Sequence, residues 1–309
     1  MKAIRLHARG GAEQIVYEEA PFPKMQPGDA LVKVLASGVT RNELDWGPTY
    51  TDEQGIDRFP VIPGHELCGI VEELSPDVSD LKVGEVVYGL TSFFRNGTAA
   101  QYVATRAADL APKPATLSPT RAAAVPLSAL TAWQALFDHG GLQAGQKVLV
   151  HGAAGGVGTF AIQIARWCGA HVVGAGHKVN LDLIARLGAS YAIDYGAGPF
   201  ERHVRDVDII LDTIGGEIQS RSWGLLRPGG IMISIAGESI TIPPQYKDRQ
   251  GVFFIVKASR PLLIEIGRLI DQGDVQPIIA AVLQLREAEA AFKSVLRRDK
   301  QGKVVLQVE

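Results

Sequence analysis

In the first third of the chain the apolar positions come in short runs broken by Gly and Pro, at residues 30–36, 68–74, 85–90 and 101–104. Runs of that length between turn residues predict strands, and an all-β region from residue 2 to about residue 114. From about residue 119 the spacing changes. Stretches with apolar residues three and four apart, at 121–137, 159–167, 181–187 and 218–226, alternate with apolar runs at 147–151, 171–175, 191–195, 207–212, 230–236 and 251–256. Helix alternating with buried strand predicts a parallel, doubly wound sheet. Beyond it, residues 261–271 and 285–296 read as helices and 303–308 as a strand, and that strand needs a sheet to join.

Between the run at 147–150 and the helical pattern at 159–167 stand Gly152, Ala153, Ala154, Gly155, Gly156, Val157 and Gly158. Strand, glycine turn and helix form the context in which such a motif holds the pyrophosphate of a dinucleotide. Gly155 lets backbone approach phosphate, Gly158 lets helix pack on strand, and the helix N-terminus offers N–H groups to an anion. The first position of the usual three-glycine fingerprint is here Ala153, so either the flanking Gly152 or a wider turn must make the bend.

Composition narrows the class but not the reaction. A chain of 309 residues has room for about two domains, and 46% hydrophobic residues, 21% charged residues and a formal net charge of −2 describe an ordinary soluble enzyme. Nothing there points to a nucleic-acid or membrane partner. Residues 251–256 are too few to span a bilayer, and residues 1–7 lack the apolar core of a signal peptide, so a cytoplasmic location is the expectation. Cys68 and Cys168 cannot form a four-thiolate zinc site, and both are expected in the core. His151, His171 and His203 lack the spacing of a metal site. Arg297, Arg298, Asp299 and Lys300 read as a solvated helix end and turn.

Other motifs follow one another along the chain: Pro63-Gly64-His65-Glu66 with Gly69 and Val71, Lys82 and Gly84 before Tyr88-Gly89, and Pro126-Leu127 with Thr131, Trp133 and Leu136. After the glycine turn come Ile193-Asp194-Tyr195, Asp212 with Gly215-Gly216, Pro228-Gly229-Gly230 and Gln301-Gly302-Lys303. Taken in order over essentially the whole chain, they resemble the medium-chain dehydrogenase/reductase family, in its zinc-independent quinone oxidoreductase branch. The resemblance implies an α/β chain with a GroES-like β domain over residues 1–117 and a Rossmann NADP-binding domain over 118–260. Residues 261–309 would return to the first domain, with an active-site cleft at the junction.

Zinc-dependent relatives place one metal ligand where His65 stands. The cysteine of that pattern is replaced by Thr40, and the third ligand position falls near Leu127, which cannot bind zinc. One imidazole beside Glu66 is short of the three protein ligands that a catalytic zinc takes, so no metal is expected, and His65 reads as a hydrogen-bonded residue lining the cleft.

NAD sites usually carry Asp or Glu at the end of the second strand of the nucleotide sheet, where it accepts from the ribose diol. Here that strand runs into Gly176, His177 and Lys178, with Asp182 only later in a helical stretch. Lys178 can attract a 2′-phosphate and His177 can add a hydrogen bond, so NADPH is the expected cofactor. The resemblance adds Tyr195 near the adenosine phosphate, and Thr131, Ser234, Ile235 and Ala236 near the nicotinamide and its ribose, with Phe253 and Phe254 flanking the ring. Residues 251–256 would form the last sheet strand, an apolar edge suited to a homodimer.

Without a metal, reduction of a simple ketone leaves a basic alkoxide, whereas a quinone or an α,β-unsaturated carbonyl gives a delocalised anion that hydrogen bonds can stabilise. A quinone or enone is therefore the expected substrate. Thr40, Asn42, Glu43, Asp45 and Tyr50 lie in the segment that could supply a donor, with Trp46 as an aromatic wall. Thr40 and Tyr50 are the catalytic candidates, Tyr50 because related zinc-free reductases carry a tyrosine in this loop. Two alternatives stay open: an enoyl-thioester reductase of fatty-acid or polyketide type, and a non-catalytic NADPH-binding redox sensor.

Overall fold

A computed structural model describes residues 1–237, 239–297 and 299–309. Arg298, in the basic cluster noted above, lies outside the described residues. The chain divides into two compact units, one of residues 1–127, 258–273 and 277–309, the other of residues 128–257 and 274–276.

The first unit is built on a seven-stranded sheet. Its centre is the long strand Asp29–Val39, paired antiparallel with Glu66–Leu74 on one side and with Lys303–Gln307 on the other, and also with Tyr102–Arg106. Val86–Leu90 and Leu110–Pro112 extend one flank, and Ile279–Gln284 closes the other, parallel to Lys303–Gln307. Lys2–Leu6 and Ile15–Glu19 form a separate two-stranded ribbon. The expected strands are all present, and the C-terminal strand returns to this sheet as anticipated. Val32, Val34, Leu67, Val71, Val304 and Leu306 form the core with Leu285, Ala288, Ala291 and Phe292 of the last helical segment.

The second unit is a six-stranded parallel sheet in the order Tyr191–Asp194, His171–Gly176, Lys147–His151, Val207–Asp212, Leu226–Ser234, Gln250–Phe253. The direction of strand progression reverses between Lys147–His151 and Val207–Asp212. In sheets of this kind ligands bind at that switch point, beyond the carboxyl ends of the strands, and the glycine turn lies there. Gln250–Phe253 is an edge strand.

The expected helix over 121–137 is divided into Pro119–Ala122, Pro126–Trp133 and a π-helical turn, Gln134–His139. Pro126 brings no N–H, so an i→i−4 ladder cannot run through it. Gln134 then makes two bonds to the backbone of Lys257, at 2.7 and 3.0 Å. The boundary between units accordingly falls at Leu127/Ser128 rather than 117/118. Cys68 is buried as expected, whereas Cys168, just past the end of helix Gly156–Trp167, is only half-buried.

The strand register has a chemical consequence. Val304 stands opposite Val39, which brings Lys303 beside Thr40, and Ser37 stands opposite Leu67, which brings Glu66 level with Gly38. Lys303 and Glu66, 4% and 0% exposed, form an ion pair of 2.5 Å. A Cβ on Gly38 would sit 2.5 Å from Glu66 Oε1, so glycine in the central strand leaves the space that this carboxylate fills. Breaking a buried pair from one side strands a charge. Lys303→Met should lower unfolding free energy by about 3–5 kcal/mol in urea titrations, and Lys303→Met with Glu66→Gln should recover most of it. A loss below about 1 kcal/mol for the single variant would show the pair to be dispensable.

Candidate active site

The glycine turn is shaped by its own backbone. Gly152 has φ +67°, the left-handed region in which a side chain is strained, so of the two routes left open by Ala153 it is Gly152 that makes the bend. The Ala153 N–H bonds the Ala175 carbonyl at 3.0 Å, which ties the turn to the neighbouring strand, and Ala153 and Ala154 are buried. Gly155 is the N-cap of Gly156–Trp167 and supplies no side-chain cap. The first N–H groups of that helix, on Gly156, Val157 and Gly158, have no intrahelical acceptor and are suited to an anion. A Cβ on Gly158 would collide with the Gly152 carbonyl, so the close approach of helix to strand requires glycine. These residues fit the pyrophosphate of a nicotinamide dinucleotide.

The other predicted nucleotide residues divide into two groups. Tyr195, His177 and the turn come together: Tyr195 Oη accepts the Gly152 N–H at 3.2 Å, and the His177 ring meets the Tyr195 ring edge-on at 5.8 Å. Lys178, exposed next to His177 after strand His171–Gly176, makes no ion pair among the described residues. The parallel neighbour strand brings a carboxylate that a reading along one strand misses. Asp194 is in register with Gly176, and its Oδ1 takes the Gly196 N–H at 2.8 Å.

The second group surrounds Asp212, fully buried at the end of its strand. Asp212 accepts the N–H groups of Ile214 and Gly215 at 3.0 and 2.9 Å, and the side chains of Gln219 and Ser234 at 2.8 and 2.9 Å. Ser234 Oγ also accepts the Ala236 N–H, and the Ile235 N–H goes to the Asp212 carbonyl. Ser234 is thus committed to shaping the strand end. Asp212 was visible in the sequence only as a member of the Asp212-Gly215-Gly216 motif. Thr131 is buried on Pro126–Trp133, Phe253 ends the edge strand, and Phe254 packs on His139 at 4.4 Å.

In the first unit, Thr40, Glu43, His65, Glu66 and Lys303 form one polar cluster. Lys303 Nζ donates to Thr40 Oγ1 at 3.2 Å. Glu66 Oε2 accepts the Leu127 N–H at 2.9 Å, while Glu43 accepts the N–H groups of Gly64 and Thr40 at 2.6 and 3.1 Å. Half-buried, the Thr40 hydroxyl accepts from an ammonium, and its own hydrogen meets no acceptor among the described residues. It is a donor with a cation behind it.

His65 is 2% exposed, stacked on Trp46 at 5.9 Å and against the edge of Phe93 at 4.8 Å. Contrary to expectation its ring nitrogens make no hydrogen bond of good geometry among the described residues, although the Ser92 backbone lies near enough to favour the charged ring weakly. Burial, and then the charge of Arg58, push its pKa down to about 3, so the ring is neutral. For a catalytic zinc the donor set does not fit: a hydroxyl bonded to an ammonium and an aliphatic Leu127 stand where ligands would be needed. No group of three or more His, Cys, Asp or Glu residues among the described residues is placed to hold a metal.

Tyr50 takes another role. It is 2% exposed, and its hydroxyl donates to the Leu44 carbonyl at 2.6 Å, with the Gly10 carbonyl at 3.2 Å. A proton bonded in this way is not offered to a substrate, and the ring packs against Phe59 in the core.

Glu43 gives the cluster a pH dependence. Full burial, opposed by bonds from Gly64 and Thr40, raises its pKa from 4.5 to about 7. A carboxyl whose folded pKa lies above its unfolded value binds more protons when folded, so its contribution to stability is lost as pH rises from 4.5 through 7. Wild type should therefore lose on the order of 3 kcal/mol relative to Glu43→Gln between pH 4.5 and 8. Parallel pH curves for the two proteins, measured by denaturant unfolding, would contradict the shift.

Comparison with known proteins agrees with this architecture. Residues 26–115 match the family described as "Alcohol dehydrogenase GroES-like domain", and residues 187–306 match "Zinc-binding dehydrogenase". The chain is 34% identical to the "Probable zinc-binding oxidoreductase, mitochondrial" of Arthroderma benhamiae, over 93% of this chain and 91% of that protein. It is 30% identical to the mouse "NAD(P)H oxidoreductase RTN4IP1, mitochondrial", over 91% of this chain and 82% of that one. Among solved structures, "the quinone oxidoreductase from Coxiella burnetii" superposes with a TM-score of 0.91 at 26% identity, covering 100% of this chain and 99% of that one. The chain therefore belongs to the medium-chain dehydrogenase/reductase family, as an oxidoreductase of quinone oxidoreductase-like type.

Proposed function

We propose that the protein is an NADPH-dependent reductase of quinones or α,β-unsaturated carbonyls that works without a catalytic metal. The observation that carries the reading is the Thr40 hydroxyl, bonded from behind by Lys303 and free to donate. Held at the glycine turn, a reduced nicotinamide would supply hydride. Thr40 would donate a hydrogen bond to the acceptor's oxygen as negative charge develops there. Lys303 behind it favours that charge, and Glu66 keeps Lys303 in place. Such a donor suits an anion spread over a ring or an enolate and is too weak for a localised alkoxide, which is why quinones and enones are favoured over simple ketones. Lys178, exposed next to His177, whose ring meets that of Tyr195, supports NADPH over NADH through attraction to a 2′-phosphate.

Stopped-flow oxidation of bound NADPH against quinones, enals and enoyl thioesters tests the acceptor. Fast oxidation is expected with the first two. Preference for enoyl thioesters would move the assignment to a thioester reductase, and no oxidation by any of them, with NADPH still bound, would favour a sensor. In the same assay Lys178→Ala should weaken NADPH by about tenfold and leave NADH nearly unchanged. Equal losses would assign discrimination elsewhere.

A further inference from the structure

The strand that leads into the glycine turn ends on His151, whose ring is fully buried. Nδ1 lies 2.9 Å from Tyr195 Oη, and Nε2 lies 2.8 Å from Ser222 Oγ. The outer bonds of this chain fix the position of each hydrogen. Ser222 Oγ is 2.6 Å from the Ile218 carbonyl, which can only accept, so the one Ser222 hydrogen points there. The Ser222 oxygen must then accept from His151 Nε2–H. Burial holds the imidazole neutral, with Asp212 and Glu201 opposing more weakly, so Nδ1 carries no hydrogen and accepts the Tyr195 O–H. With its proton turned inward, Tyr195 oxygen takes the Gly152 N–H at 3.2 Å. Donation thus runs one way, from Gly152 through Tyr195, His151 and Ser222 to Ile218.

Two consequences follow from that direction. Tyr195 has no hydrogen left to offer an anion, so its hydroxyl serves the turn rather than donating to a cofactor phosphate. The Gly152 N–H, where the chain begins, belongs to the residue whose φ of +67° makes the turn. We propose that His151 is a positioning residue of the dinucleotide site, holding the bend at Gly152 through the Tyr195 hydroxyl, and that it serves NADPH and NADH alike. The inference rests on the dinucleotide reading of the turn but not on a preference for NADPH. His151 acts on the part of the site that both cofactors share, and Lys178 on the part that distinguishes them.

Direct titration with NADPH and with NADH, followed by calorimetry, tests this on wild type, His151→Phe, His151→Asn, Tyr195→Phe and the double variant His151→Phe with Tyr195→Phe. His151→Phe should weaken both cofactors by the same factor, roughly tenfold, as expected for one buried hydrogen-bond link. His151→Asn, whose amide oxygen can reach the place of Nδ1 and accept the Tyr195 O–H, should retain most of the affinity. The double variant should bind no more weakly than Tyr195→Phe alone, because both changes break the same link. If phenylalanine at 151 prevents folding, Tyr195→Phe and Ser222→Ala carry the test, each weakening both cofactors equally and Ser222→Ala by less. Unchanged affinities, a loss confined to NADPH, or losses that add in the double variant would overturn the proposal. Wild type that binds neither dinucleotide would overturn the underlying reading as well, and would be seen before any variant is made.

Discussion

An ammonium and a carboxylate buried together, Lys303 and Glu66, join the last strand of the first unit's sheet to the strand two places away, over the gap left by Gly38. Neither charge has water to solvate it, so each depends on the other and on the remaining bonds of the cluster. Glu66 keeps a second oxygen for the Leu127 N–H, and Lys303 keeps a hydrogen for Thr40. The return of Lys303–Gln307 brings the cation to the Thr40 hydroxyl, so the last strand belongs to this polar cluster as well as to the sheet.

The second unit solves a different problem, holding a multiply charged ligand with few charged side chains. Backbone N–H groups at the start of Gly156–Trp167 are suited to this, and their placement depends on the bend at Gly152 and the close approach at Gly158. Neutral groups support the bend from below. Burial keeps His151 uncharged and pushes the Tyr195 phenol above its usual pKa, so hydrogen-bond direction, rather than ionisation, keeps the turn in shape.

The strands of the parallel sheet and most strands of the first unit's sheet were legible in the sequence because their apolar runs are long and turn residues separate them, whereas Lys2–Leu6, Ile15–Glu19 and Leu110–Pro112 were not anticipated. Nor was the strand Ile279–Gln284, since its half-buried alternation runs straight into a helical segment with no turn signal. The π-helical turn was also hidden, because it depends on Gln134 finding the distant Lys257 backbone. At the site, local motifs gave the glycine turn and Thr40. Contacts made by long-range register were missed: Lys303 with Thr40, Asp194 beside Gly176, and His151 with Ser222. Tyr50 is a local case, as position in a loop does not show that the hydroxyl turns back to the Leu44 carbonyl.

The proposed reaction depends most on the Thr40 hydroxyl, backed by the Lys303 ammonium, as donor to the acceptor's oxygen. The most direct measurement is the turnover of Thr40→Val, which keeps the shape of the side chain and removes the hydroxyl, with a quinone acceptor in metal-free buffer. The account predicts that kcat falls about a hundredfold while the affinity for NADPH is unchanged, as for loss of one donor to a developing oxyanion. Undiminished kcat in the variant, or wild-type activity that appears only with added zinc, would contradict it.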